Sequence, residues 1–282
     1  MGDMEWPVDH DRGYAALADH ASRIAGMICG GVGRPPQTAS TRYVLEESRR
    51  LLDAWHPEGH PRPRSAAADT LDAIAAAWPS LCEGAVTGEE VLARQDGLWQ
   101  RLMSEWPMGR YAQMSADALA AHDGPVGTVV ELGAGVGVTT RLIRDSVAMR
   151  GGRLLATDLH YGASQAVDFD CPLLAQLPPA DVVVATNALH CAADPVATLG
   201  WIRELLNPDG VLILGEGAPF PEPGVPWALN LLFGVCQGWF DRGGFRSPEF
   251  WTQAMSSAGF GRVSRHRWPS DRFEFGGVLV AS

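Results

Sequence analysis

Several stretches of the sequence carry residue types that could hold a cofactor and move a proton. The apolar run 129–132 leads into Gly133, Gly135 and Gly137, which are separated by single residues. Glycines let a backbone approach a ligand closely, and a following helix offers free N–H groups at its amino end. This predicts a nucleotide-type site, although Val138 stands where a G-x-G-x-x-G dinucleotide fingerprint needs glycine. A tight turn without a ligand is the alternative.

Three acidic or basic residues follow later apolar runs. Asp158 ends the run 153–158, where a carboxylate can accept hydrogen bonds from both hydroxyls of a ribose; a helix cap is the alternative. His190 follows a run near 181–186, and Glu216 ends another. A carboxylate behind an imidazole fixes its tautomer and raises its basicity, so this pair predicts a general base. A binding or structural histidine is the alternative.

The elements that must position these residues divide the chain into two parts. Apolar spacing predicts helices over 14–29, 41–55, 66–78 and 109–121. A capping box at 87–90 opens a further helix, which places Leu98, Trp99, Leu102 and Trp106 on one apolar face. From 127 onward, strands alternate with helices, as in a parallel sheet covered on both faces. The predicted strands are 128–132, 153–158, 167–169, 181–186, 210–216, 262–268 and 275–281, and the helices between them are 138–149, 195–206, 226–237 and 248–258. We therefore predict an α/β fold, with residues 1–122 as an all-helical lid and 123–282 as a Rossmann-like domain.

Composition argues against several functions. The formal net charge of −11 repels phosphate backbones, which argues against a nucleic-acid partner. Apolar runs are too short to span a bilayer and no secretory signal is visible, so we expect a cytoplasmic protein without a membrane partner. Every basic residue is arginine, which excludes lysine chemistry. Five scattered cysteines lack the spacing of a metal site, and no metal is expected.

The order of these motifs resembles class I S-adenosylmethionine-dependent methyltransferases, and more narrowly the C-methyltransferase domains of polyketide synthases. Residues 185–191 resemble the A-N-x-L-H-A signature of those domains, and 215–217 resemble their V-E-G signature. Residues 238–240 resemble G-W-W and 258–260 match A-G-F, with Arg242 or Arg246, Ser247 and Trp251 between them. Residues 106–111 are similar to an S-P-x-A-R-Y-Y element, so the resemblance covers about 85–282.

This resemblance implies a seven-stranded sheet whose last strand is antiparallel, S-adenosylmethionine as cofactor, and a set of site residues. The implied cofactor-binding residues are Tyr111, Glu131, Gly133, Gly135, Gly137, Asp158, Asp168, Phe169 and Asn187. The implied catalytic residues are His190 and Glu216, and Trp239 and Phe240 would contact the substrate. Within the cofactor set, Glu131 and the glycines would hold the methionyl part, Asp158 the ribose, and Asp168 with Phe169 the adenine.

The reaction implied by the resemblance is methylation of a small natural-product intermediate, either free or bound to a carrier protein. His190 would remove a proton alpha to a carbonyl, and the resulting carbon would attack the methyl group. The same base could serve a hydroxyl or an amine, so O- or N-methylation stays open. A repurposed fold that binds a ligand or guides a cyclisation is a third hypothesis. Glycine spacing disfavours a nicotinamide oxidoreductase.

One spacing departs from the family pattern. Asp158 and Asp168 are too close for the usual strand–helix–strand connection, which ordinarily takes a dozen residues or more. The sheet face formed by 153–158 and 167–169 would then lack its covering helix, and an apolar face of that size must be buried by something else. We predict that helix 14–29, or a second copy of the chain, covers it, which predicts a homo-oligomer.

Overall fold

A computed structural model describes residues 9–31, 35–159, 165–218, 227–241 and 244–282. The chain divides into two compact units. The first comprises Met1–Met108, Pro219–Gly244 and Pro269–Phe275, and the second comprises Gly109–Ala218, Phe245–Trp268 and Gly276–Ser282. Each unit is assembled from several chain segments, so the domain boundary at residue 122 stays a prediction.

Eleven α-helices and seven strands are found in the described ranges. The helices are α1 His10–Gly30, α2 Ala39–Ala54, α3 Ala66–Cys82, α4 Gly88–Ala93, α5 Leu98–Ser104, α6 Met108–Ala120, α7 Val138–Met149, α8 Pro195–Leu205, α9 Ala228–Phe233, α10 Gln237–Asp241 and α11 Pro248–Ser257. The strands are β1 Thr128–Leu132, β2 Arg153–Asp158, β3 Gln165–Ala166, β4 Ala180–Thr186, β5 Leu206–Gly217, β6 Val263–Arg267 and β7 Gly276–Ala281. None of these helices is both long and apolar enough to span a membrane.

The first unit is helical, and its first four helices begin at side-chain caps. Each capping side chain accepts a hydrogen bond from the backbone N–H three residues later, which satisfies a donor that the helix leaves free. The capping residues are Asp9, Thr38, Ser65 and Thr87. The predicted capping box of Thr87 and Glu90 is confirmed. The helix that it opens is shorter than predicted, because Gly97 adopts a φ of 65° and separates α4 from α5.

Helix α1 lies in the interior of the first unit. Its apolar side chains, among them Leu17, Ile24 and Ile28, are buried, and it packs against α2, α3 and α9. The Tyr14 hydroxyl accepts a hydrogen bond from the Ala228 N–H at 3.0 Å. The apolar face that the sequence analysis took as available for another surface is therefore already occupied within this unit.

The second unit contains the sheet, in the order β3-β2-β1-β4-β5-β7-β6. Strands β1 to β5 pair in parallel, and β7 lies antiparallel between β5 and β6. The predicted seven-stranded sheet with an antiparallel last strand is confirmed. Most residues of its central strands are buried, and most of these are apolar, as expected where helices cover both faces of a parallel sheet. The carboxyl ends of β1, β2, β4 and β5 thus meet at one edge.

Strand β3 corrects the predicted strand 167–169. The residues that pair with Thr157 and Asp158 are Gln165 and Ala166, which precede the predicted strand. The backbone then leaves the sheet, because the Gln176 side chain accepts from the Asp168 N–H at 3.1 Å and donates to the Asp168 carbonyl at 2.9 Å. Residues 160–164, between β2 and β3, lie outside the described residues.

One face of β2, which carries Leu155, is covered by the segment that follows β3. Leu155 belongs to the same buried cluster as Val167, Leu173 and Leu177. Leu173 begins a single turn of 3-10 helix, and the rest of this segment is irregular. The other face of β2, on the side of α7, carries Leu154 and Ala156, which are half-buried. A right-handed crossover would place the missing helix on this side. That helix 14–29 or a second copy covers this side, and with it the homo-oligomer, therefore stays a prediction.

Candidate active site

The loop between β1 and α7 carries three glycines in the left-handed region. Gly133, Gly135 and Gly137 have φ values of 69°, 53° and 76°, which favour glycine. A Cβ on Gly133 would lie 2.5 Å from the Ala188 Cβ, so this loop packs directly against the turn after β4. A Cβ on Gly135 would meet nothing within 4 Å. The loop therefore touches protein on one side and leaves room for a ligand on another.

Asp158 ties the end of β2 to the same loop. Its Oδ2 accepts a hydrogen bond from the Gly135 N–H at 2.9 Å, and the Ala134 N–H donates to the Thr157 carbonyl at 2.9 Å. The predicted ribose-binding carboxylate and the glycine loop are thus neighbours. Asp158 is half-buried, so it remains partly open to a ligand.

Glu131 is a buried carboxylate near the end of β1. It is 2% exposed, and its Oε2 accepts a hydrogen bond from the Thr140 hydroxyl at 2.6 Å. Burial raises the pKa of Glu131 to about 7, and the nearby Asp158 carboxylate acts in the same direction. A cationic group placed beside Glu131 would favour its ionised form.

Phe169 and Asp168 lie in the irregular segment after β3. The Phe169 Cε1 is 3.9 Å from the position of a Cβ on Gly133, and the Phe169 carbonyl accepts from the Thr198 hydroxyl at 3.0 Å. The Asp168 Oδ1 accepts from the Asp170 N–H at 2.9 Å, which closes a local turn. The structure therefore brings the Phe169 ring to the glycine loop, while the Asp168 side chain organises the segment that carries it.

Helix α6 packs on the carboxyl ends of β4 and β5. The Ser115 hydroxyl lies 3.0 Å from the Thr186 hydroxyl, and a Cβ on Gly215 would lie 2.5 Å from the Ser115 Oγ. Tyr111, one turn earlier, is fully buried with its ring centroid 5.1 Å from that of Trp268. The structure thus places Tyr111 in packing between α6 and the chain after β6.

His190 and Glu216 meet at the carboxyl ends of β4 and β5. The imidazole Nδ1 lies 2.8 Å from the Glu216 Oε2. The other carboxylate oxygen, Oε1, accepts from the backbone N–H groups of Ala188 and His190 at 3.2 and 3.3 Å. His190 and Glu216 are 4% and 2% exposed. The structure therefore brings the predicted base and its carboxylate into direct contact in a buried setting.

This contact sets the charge of the imidazole. Burial by itself lowers the pKa of His190, but the Glu216 carboxylate outweighs it and raises the pKa to about 10. The Cys191 side chain, which hydrogen-bonds the imidazole, acts in the same direction as Glu216. Since Nδ1 faces the carboxylate, a proton exchanged with a substrate would have to pass through Nε2.

Trp239 and Phe240 belong to the first unit. Their rings contact that of Tyr43, with centroid distances of 6.3 and 5.5 Å, and Trp239 stacks on Phe233 at 6.1 Å. They are half-buried members of an aromatic cluster. Their contact with a substrate stays a prediction. The Arg242 of the sequence motif lies outside the described residues.

Sequence reasoning missed three residues that shape the site. Phe245 places its ring centroid 4.8 Å from that of His190, Thr140 binds Glu131, and Ser115 packs on Gly215. The Phe245 and Ser115 contacts join distant parts of the sequence, and Thr140 reaches Glu131 across the glycine loop, nine residues away. Helix or strand spacing indicates none of the three. Throughout the described ranges, no three His, Cys, Asp or Glu side chains gather as a metal site would require.

Comparison with known proteins identifies similar sequences and similar structures. Residues 130–212 match a family model described as a methyltransferase domain. A non-reducing polyketide synthase of Penicillium shearii is 30% identical over 186 residues, which cover 58% of this chain and 8% of the synthase. A reducing polyketide synthase of Aspergillus oryzae is 30% identical over 178 residues, 54% of this chain and 7% of that protein. The chain thus matches less than a tenth of these relatives.

Solved structures show the same fold at low sequence identity. The trans-methyltransferase CalH, solved with SAH, has a TM-score of 0.76 at 17% identity, with 97% of this chain and 91% of that chain covered. The citrinin polyketide synthase CMeT domain has a TM-score of 0.74 at 15% identity, with 95% and 89% covered. The resemblance that the motifs indicated is therefore confirmed.

Proposed function

We propose that this chain, which carries a class I methyltransferase domain resembling those of polyketide synthases, transfers a methyl group from S-adenosylmethionine to a carbon atom of a small natural-product intermediate. The observation that carries this proposal is the buried His190–Glu216 pair, with 2.8 Å between Nδ1 and Oε2. The pair lies at the edge where open α/β sheets bind ligands. Ala188, in the turn that carries His190, packs against the glycine loop.

The residues around the glycine loop fit the cofactor. The open space at Gly135 would admit its methionyl part, and Glu131 would pair with its ammonium group. The Asp158 carboxylate would accept from the ribose hydroxyls, and the Phe169 ring would lie beside the adenine. When bound, the cofactor supplies a methyl group on a cationic sulfur.

His190 would act as the base. Its Nε2 would accept the proton alpha to a carbonyl, and the imidazolium so formed would be stabilised by Glu216. A base whose pKa is raised to about 10 is strong enough to compete for a carbon-bound proton, but most of it is already protonated at pH 7. Turnover should therefore rise with pH from 7 towards 10.

The relatives suggest which class of molecule accepts the methyl group. Because the matched proteins are polyketide synthases, we propose a polyketide intermediate, either free or bound to a carrier protein in trans. Trp239 and Phe240 would contact its carbon chain. We also propose that the protein is cytoplasmic and forms a homo-oligomer. Residues 1–122 would act as a lid.

Product analysis tests this function. The protein is incubated with methyl-¹³C-labelled S-adenosylmethionine and a small β-keto thioester, and the labelled product is examined by carbon NMR. We expect the label on the carbon between the two carbonyls. A label on oxygen would replace the proposal by O-methylation, and cofactor binding without transfer to any of a panel of such thioesters would favour a repurposed ligand-binding fold.

A further inference from the structure

Asn187 connects the turn that carries His190 to the strand that carries Glu216. The Asn187 N–H donates to the Gly215 carbonyl at 2.7 Å, and its Oδ1 accepts from the Gly217 N–H at 3.3 Å. Gly215 and Gly217 are the two neighbours of Glu216 in β5. Asn187 therefore holds the backbone on both sides of the carboxylate.

The backbone conformation of Asn187 is suited to this connection. Its φ of 48° lies in the left-handed region, where asparagine is better tolerated than most residues. This conformation turns the chain sharply at the end of β4, so that the N–H groups of Ala188 and His190 both reach the Glu216 Oε1. Two sets of hydrogen bonds thus join the turn to the strand. Asn187 bonds to the backbone of β5, and the Glu216 side chain bonds to the backbone of the turn.

We propose that Asn187 is a positioning residue, which sets the distance between His190 and Glu216 through its side-chain Oδ1 and its left-handed backbone. This rests on the proposed function and departs from the cofactor-binding role that the family resemblance implies for Asn187. The role uses the oxygen of the amide, which binds Gly217, and does not require the amide N–H₂. Two different substitutions can therefore separate positioning from ligand binding.

Asn187→Gly keeps the backbone conformation and removes the side-chain hydrogen bond to Gly217. We expect the downfield proton signal of the His190 Nδ1–H to be lost or broadened, and the pKa of His190 to fall towards its ordinary value. Turnover should fall by about tenfold to 10²-fold, the scale of a small displacement of a catalytic group. The dissociation constant for S-adenosylmethionine should stay within about twofold.

Asn187→Asp supplies the same acceptor oxygen and also tolerates a left-handed backbone. This conservative variant should retain the His190 signal. If the glycine variant folds poorly, the folded aspartate variant still shows whether the acceptor oxygen at position 187 is sufficient to retain the His190 Nδ1–H signal.

Asn207→Ala is the matched control. The Asn207 side chain also joins β4 to β5, by donating to the Asp181 Oδ1 at 2.7 Å, but it does so at the opposite end of these strands. We expect its loss to lower stability without changing the His190 signal or turnover. Proton and nitrogen NMR of His190, with calorimetric titration of S-adenosylmethionine, compares all three variants.

The proposal is overturned if Asn187→Gly leaves the His190 signal and its pKa unchanged, or if Asn187→Asp loses the signal as completely as the glycine variant. A large loss of cofactor affinity with an intact His190 signal would instead make Asn187 a cofactor ligand. The NMR comparison needs no substrate, so a failure of the proposed methylation leaves it interpretable.

Discussion

A buried carboxylate is unfavourable unless hydrogen-bond donors or a positive charge surround it. Glu216 has both, since two backbone N–H groups and the His190 imidazole contact its oxygens. Glu131 is equally buried but lies near Asp158, and the Thr140 hydroxyl compensates only in part. The Glu216 carboxylate is therefore well compensated by its neighbours, whereas the Glu131 carboxylate is compensated only in part.

Glu131→Gln tests this contrast through stability. The pKa of Glu131 is raised from its ordinary value of 4.5 to about 7 in the folded protein, so the folded state binds more protons than the unfolded state between these values. Stability should then fall as pH rises through this window, by up to about 3 kcal/mol. Glutamine has no charge to bury, so the variant should be more stable than the parent at pH 8 and nearly equal at pH 5. Urea unfolding measures both.

The control for this prediction is Glu204→Gln, an exposed position on α8. Its effect on the free energy of unfolding should be small at both pH values. Equal effects of Glu131→Gln at pH 5 and pH 8 would show that burial does not make the Glu131 carboxylate costly to ionise.

Among the helices and strands, the sequence predicted those whose limits are set by a local pattern of residues. Strand β1 was predicted within its observed limits because its apolar run ends at the glycines. Strand β3 and the break between α4 and α5 were missed or misplaced, because Gln176 and Gly97 act through contacts and backbone angles that apolar spacing does not encode. The packing of 167–177 against Leu155 was missed for the same reason.

Gly133→Ala tests the packing of the glycine loop on the turn after β4. The new Cβ would lie 2.5 Å from the Ala188 Cβ and would also require a left-handed backbone. Gly135→Ala shares the backbone requirement, but its Cβ meets nothing within 4 Å. We expect Gly133→Ala to lower the free energy of unfolding by about 1–3 kcal/mol more than Gly135→Ala, the usual cost of overpacking. Equal losses in chemical unfolding would contradict the close contact.

At the scale of the whole molecule, the sequence predicted the class of fold and most of the site. His190, Glu216, Asp158, Phe169 and the glycine loop come together at one sheet edge, as the order of the strands required. Tyr111 was assigned by resemblance, and the structure places it against Trp268. A resemblance assigns a role to a residue from its position in a motif. The contacts of its side chain depend on packing that a single sequence does not specify.

The assembly state is a separate prediction at this scale. The homo-oligomer was inferred from a sheet face without its covering helix, and Leu154 and Ala156 on that face are half-buried. Light scattering at micromolar concentration measures the mass directly, against a chain mass of 30.2 kDa. If the protein is a dimer, Leu155→Ala should destabilise the protomer without shifting the mass, because Leu155 lies in the buried cluster on the opposite face of β2. A mass shift in this variant would place Leu155 at the interface.

The central claim is that His190 is the base, and its removal tests this most directly. His190→Ala should lower turnover with a β-keto thioester by about 10²–10⁴-fold, as expected for the loss of a general base. Calorimetry should show nearly unchanged affinity for S-adenosylmethionine. His266→Ala, which removes an exposed histidine on β6, should keep parental turnover. The account predicts a turnover loss confined to His190→Ala, and parental turnover of that variant at saturating substrate would contradict it.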